Sequence, residues 1–132
     1  MSGQGPFDPA SGAVVGDSIE PQARQCFTNI SAILAAAGSS LDDVVSATFI
    51  LRDAEDFDGL NAEWARWFLS DPPARMGTKM GISLPEMRIS ISVVARLPLR
   101  RHRLGGDGLG RMAEGEGFEP PVACATAVFK SA

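Results

Sequence analysis

Arg75 directly follows Pro72-Pro73-Ala74 and opens a β-prone run. A guanidinium so placed presents a planar fork of five N–H donors that can hold a small carboxylate in two parallel hydrogen bonds. The same residue also suits a surface or interface salt bridge, so position alone leaves both readings open. Other constellations carry less chemistry. His102 is the single histidine, so a Ser-His-Asp or Cys-His arrangement would have to be built from the unpatterned C-terminal stretch. No Cys/His cluster has zinc spacing, and Asp53, Glu55, Asp56 and Asp58 lack the order and closing glutamate of a calcium loop. They read as a solvated acidic turn. Neither a metal nor another cofactor is expected.

The elements that must position Arg75 follow from periodicity. Gly5 to Gly16 is a turn-rich loop in which Ser11-Gly12 can supply positive φ. Ser18 and Pro21 then open a helix whose apolar residues Cys26, Phe27, Ile30, Ile33, Leu34 and Ala37 recur at three- and four-residue spacing until Gly38. Val44 to Leu51 predicts a strand with Val45, Ala47, Phe49 and Leu51 on one face. A second helix is expected from Gly59 to Leu69, with Leu60, Trp64, Trp67 and Phe68 on its apolar stripe and Pro72-Pro73 as its stop. In it Asn61 is expected to tie down the helix start, Trp64 and Trp67 to serve the core, and Cys26 in the first helix to be a packed thiol. Two more strands are expected, Ala74 to Ile82 and Arg88 to Arg96, the latter alternating Ile89, Ile91, Val93 and Ala95 with Ser90, Ser92 and Val94. The order is loop, α, β, α, β, β, an α+β layout with two helices on one face of a mixed sheet.

Composition sets the outer limits. The chain has 132 residues, 45% of them hydrophobic and 21% charged, with a formal net charge of −4, the balance of one soluble globular domain. Two cysteines, Cys26 and Cys124, make no disulfide scaffold, and a reducing cytoplasmic setting is the expected one. No apolar run approaches the roughly 18 residues of a spanning helix, so no membrane role is expected. The acidic balance argues against nucleic acid as a partner, because such binders neutralise phosphates with clustered cations.

After Arg100 the periodicity vanishes. Gly105-Gly106-Asp107-Gly108-Leu109-Gly110 has no strand before it and no Gly-Lys-Ser/Thr after it, so it reads as linker rather than phosphate loop. Gly117-Phe118-Glu119-Pro120 can be encoded by codons whose complement spells the T-loop sequence common to tRNA genes. Residues 99–132 are therefore expected to be a disordered or non-native tail, read antisense through a neighbouring tRNA gene. Residues 1–98 are the expected domain.

Ser2-Gly3-Gln4-Gly5-Pro6-Phe7-Asp8-Pro9-Ala10-Ser11-Gly12, Gln22-Ala23-Arg24-Gln25, Leu41-Asp42-Asp43-Val44-Val45, Asp56-Phe57 with Asn61 and Trp64, Pro73-Ala74-Arg75 and Leu84-Pro85 together resemble the RidA (YjgF) family of small trimeric enamine/imine deaminases. The likeness covers residues 2 to about 97 in the family's order. It implies a chorismate-mutase-like α+β subunit and a homotrimer with pockets at its subunit interfaces. It also implies a small-molecule imino acid, enamino acid or carboxylate as ligand, hydrolysed to a 2-oxoacid and ammonia. Arg75 matches the arginine that binds the substrate carboxylate, and Ser2 and Gly3 match residues lining the pocket. The family's water-orienting glutamate falls on Ser90, and its cysteine two residues past the arginine falls on Gly77. Arg75 and Ser90 are thus the expected catalytic residues, and Ser2, Gly3, Arg75 and Gly77 the substrate-binding ones. Because a serine is no carboxylate base, a non-catalytic carboxylate-binding or regulatory protein is the alternative. The likeness begins after the family's N-terminal hairpin, so an uncovered sheet edge is expected.

Overall fold

A computed structural model of the chain describes residues 1–82 and 84–99. His102, Cys124, the glycine-rich run and nearly all of the expected tail lie outside the described residues. The elements are α1 (Ile19–Ala36), β1 (Val44–Leu51), α2 (Phe57–Trp67), β2 (Ala74–Lys79) and β3 (Ile89–Ala95), with short 3-10 turns at Leu41–Asp43 and Ala54–Asp56. The sheet order is β2-β1-β3, with β2 parallel and β3 antiparallel to the central β1. The helices pack on one face of this mixed sheet, as the sequence predicts.

Helix α1 turns Ile19, Gln22, Ala23, Cys26, Phe27, Ile30 and Leu34 inward, a three- and four-residue spacing that makes one continuous apolar stripe. It closes in a Schellman motif. Gly38 adopts φ +79°, its N–H bonds Ala35 O at 3.0 Å, and Ser39 N–H reaches back to Leu34 O at 2.8 Å. Gln22 is a fully buried amide whose bonds are all met by backbone. Its Nε2 donates to Glu86 O at 2.7 Å and Gly16 O at 3.1 Å, and its Oε1 accepts from Arg88 N at 2.8 Å. That amide pins the segment before β3 to the first helix. The Cys26 thiol is packed as expected, and burial pushes its pKa up to about 12.

Three boundaries differ from expectation for physical reasons. Helix α2 begins at Phe57 rather than Gly59, because the Ala54–Asp56 turn feeds straight into it and Arg88 Nη1 holds the buried Asp56 carboxylate at 3.2 Å. Strand β2 stops at Lys79 rather than Ile82, since Met80 N–H bonds Leu51 O at 2.8 Å and Leu51 ends the partner strand. In β1 the alternation breaks at a bulge between Val44 and Ser46, which buries Val44 and leaves Val45 42% exposed. From Ala47 onward Ala47, Phe49 and Leu51 face the helices as expected. The outer edge of β3 is not bare. Gln4 exchanges two backbone bonds with Ile91 (2.7 and 2.9 Å), and the Met1 amino group donates to Val93 O at 3.0 Å.

Phe27 stands at the centre of the core, with ring centroids 5.4 Å from Trp64, 5.6 Å from Trp67 and 5.8 Å from Phe68. Above it Arg24 clasps the buried Glu63 carboxylate in a two-pronged bond (3.0 and 3.1 Å), and Trp67 Nε1 donates to the same carboxylate at 3.2 Å. The Arg24 bond is the main cause holding the Glu63 carboxyl below its ordinary range. A depressed folded-state pKa stabilises the fold above the unfolded carboxylate value of roughly 4.3, and that stability is lost as pH falls through the lower folded value. Glu63→Gln is therefore expected to lower the melting temperature at pH 7. The gap to the parent should narrow below about pH 4. Thermal melts from pH 7 to pH 3 check this, and a gap that widens toward acid would contradict it.

Candidate functional site

Arg75 lies on the edge strand β2 opposite Ala47 of β1, and residues directly paired across a sheet share a face. Its side chain therefore stands on the helix-covered side. The guanidinium carbon sits over the rings of Trp64 (4.9 Å), Phe49 (5.6 Å) and Phe57 (5.7 Å), which form an aromatic floor for the cation. One donor, Nη2, is fixed by Asn61 Oδ1 at 2.6 Å. Among the described residues no carboxylate pairs with Arg75, so the rest of the fork opens into the adjoining cleft. An aromatic base that prevents retreat and one amide that fixes rotation leave a preorganised grip for a planar anion.

Asn61 is the residue that local sequence reading misassigned. It sits inside α2 rather than at its start, and its amide orients the arginine across the β2–α2 gap. Helical spacing could not disclose this, because the contact joins a helix to a strand 14 residues away. Trp64 is core as expected and also carries the cation, since its ring packs nearly perpendicular to Phe27 and lies under the Arg75 guanidinium.

The cleft beside Arg75 has a volume of about 890 Å³, with Phe49, Leu51, Phe57 and Gly77 supplying its apolar surface. Gly77 is two residues beyond Arg75 on the same face, paired with Phe49. A Cβ at Gly77 would fall 2.3 Å from Phe49 Cζ and 2.4 Å from Cε2. The bare glycine therefore lets the Phe49 ring lie across the strand.

Ser90 is elsewhere. It pairs with Ile50, so it occupies the opposite, open face of the sheet together with Ser92 and Thr48. Gly3 approaches it so closely that a Cβ there would lie 2.8 Å from Ser90 Oγ. Ser2 is next to it in sequence, its carbonyl and hydroxyl taking bonds from Gln4 Nε2 at 3.3 and 3.4 Å. Of the five expected site residues, Arg75 and Gly77 thus lie on the helix side, Gly3 and Ser90 meet on the open side, and Ser2 adjoins Gly3 in sequence. Among the described residues no group of three or more His, Cys, Asp or Glu is arranged to hold a metal ion.

Residues 1–97 match the family model described as Endoribonuclease L-PSP. The chain belongs to this family, the RidA/YjgF family. It is 40% identical over 96 residues to the RutC family protein SSO3206 of Saccharolobus solfataricus, covering 73% of this chain and 76% of that protein. To the 2-iminobutanoate/2-iminopropanoate deaminase of Capra hircus it is 38% identical over 95 residues, covering 72% and 69%. The crystal structure of the YjgF gene product from E. coli superposes with a TM-score of 0.67 at 33% identity, covering 72% of this chain and 76% of that one. The expected chorismate-mutase-like fold of the RidA/YjgF family is therefore the fold of this chain.

Proposed function

We propose that this chain is a hydrolytic deaminase of small reactive enamine and imine acids, with Arg75 as the carboxylate anchor. The observation that carries the reading is the Arg75 fork, floored by three rings, fixed by Asn61 and open to a cleft. Relatives named as 2-iminobutanoate/2-iminopropanoate deaminases support it. The substrate carboxylate docks on Arg75, which sets the imine carbon for attack. An enamine first becomes the imine as its terminal carbon gains a proton and its nitrogen loses one; water then adds across the C=N bond, the proton of the new hydroxyl passes to nitrogen as the C–N bond breaks, and ammonia and a 2-oxoacid leave. Ser90 can orient the water through its hydroxyl, although it cannot take a proton as a carboxylate would.

Arg75 and Ser90 lie on opposite faces of one sheet, so a pocket containing both takes two subunits. This favours a homotrimer with Arg75 of one subunit facing Ser2, Gly3 and Ser90 of the next. Asn61→Ala is expected to raise KM about tenfold with a smaller change in kcat, since it releases one charge-assisted bond that aims the fork. Steady-state kinetics check this; an unchanged KM would contradict the role.

Ser90 in place of an acid favours a second reading, a carboxylate-binding member without turnover. Pyruvate release from enzymatically generated 2-aminoacrylate separates the two, measured with and without the protein. Acceleration over spontaneous hydrolysis is the expected result. An unaccelerated rate, with 2-oxobutanoate still raising the melting temperature, would establish the binding reading instead.

A further inference from the structure

We infer that Arg88, on the segment leading into β3, is a positioning residue for the carboxylate grip and acts through the buried Asp56 at the start of α2. This rests on the reading of Arg75 as carboxylate anchor and adds what aims that anchor. An aspartate at the N-cap of a helix ordinarily accepts a bond from a backbone N–H of the first turn, which stabilises the helix locally. Asp56 holds that place in α2 and makes no such bond. Its two carboxylate oxygens turn instead to Arg88 Nη1, at 3.3 and 3.2 Å. The helix thus forgoes its own cap for a tertiary contact.

Arg88 is itself held from several sides. Its N–H donates to Gln22 Oε1 of α1 at 2.8 Å, and its carbonyl accepts from Arg52 N, just past β1, at 2.8 Å. Its Nε donates to Asp17 O at 2.8 Å, and Nη1 also reaches Asp53 Oδ2 at 3.4 Å. A guanidinium anchored to α1, β1 and β3 therefore sets where α2 begins. What α2 carries makes that placement matter. On the same helix Asn61 fixes Arg75 Nη2 at 2.6 Å, and the Trp64 ring lies 4.9 Å beneath the guanidinium carbon. Asn61 stands roughly 7.5 Å along the axis from Asp56, at about 1.5 Å per residue, so a slip at the helix start is carried to the amide. Arg75 stands on β2, which is registered by β1, so movement of α2 against the sheet changes both the aim and the floor of the fork.

The test uses the full chain and 2-oxobutanoate as probe. Asp56→Ser separates the two roles of the aspartate, because serine caps a helix about as well and cannot pair with Arg88, which keeps Asp53 and the Asp17 carbonyl. Calorimetric titration gives Kd well below the melting transition, where lower stability alone leaves affinity unchanged. Asp56→Ser is expected to weaken binding about five- to tenfold and Arg88→Met by about tenfold or more. Arg88→Lys should fall between parent and Arg88→Met, since an ammonium meets a carboxylate without the planar fork. Imine hydrolysis should show the same loss in KM, with kcat changed less. Combining Arg88→Met with Asn61→Ala should weaken binding little beyond the larger single effect, because both variants loosen the same arginine.

Parent-like affinity in Asp56→Ser and Arg88→Met, with binding lost in Arg75→Ala, would overturn the inference while leaving Arg75 as anchor. Effects that multiply in the double variant would overturn the route through α2. Undiminished binding by Arg75→Ala, or no binding by the parent, would overturn the anchor and the inference together.

Discussion

Arg75→Ala is expected to lower kcat/KM for imine hydrolysis by at least about 100-fold while moving the melting temperature by no more than a few degrees. The magnitude follows from the geometry. Two hydrogen bonds to a charged partner contribute about 3 kcal/mol or more together, and about 1.4 kcal/mol is a factor of ten in rate. The anchor also fixes the imine carbon relative to water, so its loss lowers kcat as well as raising KM. The fold should tolerate the change, because Arg75 is exposed on an edge strand and its rings pack on one another without it. Arg75→Lys is the sharper variant. An ammonium keeps the charge over the aromatic floor and loses the planar fork, so only a minor part of the activity should return. Full activity in the lysine variant would mean that charge alone suffices.

The largest effect on stability is expected from Phe27→Ala, a loss of about 3–5 kcal/mol. Phe27 is fully buried and its ring contacts Trp64, Trp67 and Phe68, so truncation opens a cavity where α1 meets α2. A domain of this size has only about 5–15 kcal/mol in hand, so the variant should be partly unfolded near physiological temperature. Urea titration of parent and variant measures the loss. A difference below about 1 kcal/mol would show that the aromatic cluster repacks around the gap. Trp64 belongs both to this cluster and to the Arg75 floor, so core packing and the grip are mechanically joined.

Much of the scaffold could be read from residue types, and the failures have local causes. Ile89, Ile91, Val93 and Ala95 alternate without interruption and all four are buried, because β3 has one face on the helices throughout. Val45 was expected on the buried face of β1 and lies outside it, since one bulge residue shifts the alternation before it. The end of β2 was indistinct because all six of its residues are exposed, and no burial pattern marks its limits. At the site, Arg75 stood out through its position after two prolines, whereas Asn61 did not. Its partner lies on another element, and no periodicity links a helix residue to a strand residue across a turn. The division of Arg75 from Ser90 depends on how three strands register, which no single strand discloses.

The central claim, that Arg75 anchors an acid which this chain hydrolyses, is tested most directly by initial rates of ammonia release from 2-aminoacrylate. Parent and Arg75→Ala proteins are compared at equal concentration, each first shown to melt cooperatively. The predicted result is acceleration by the parent that vanishes in the variant. Equal acceleration by both proteins would contradict the account.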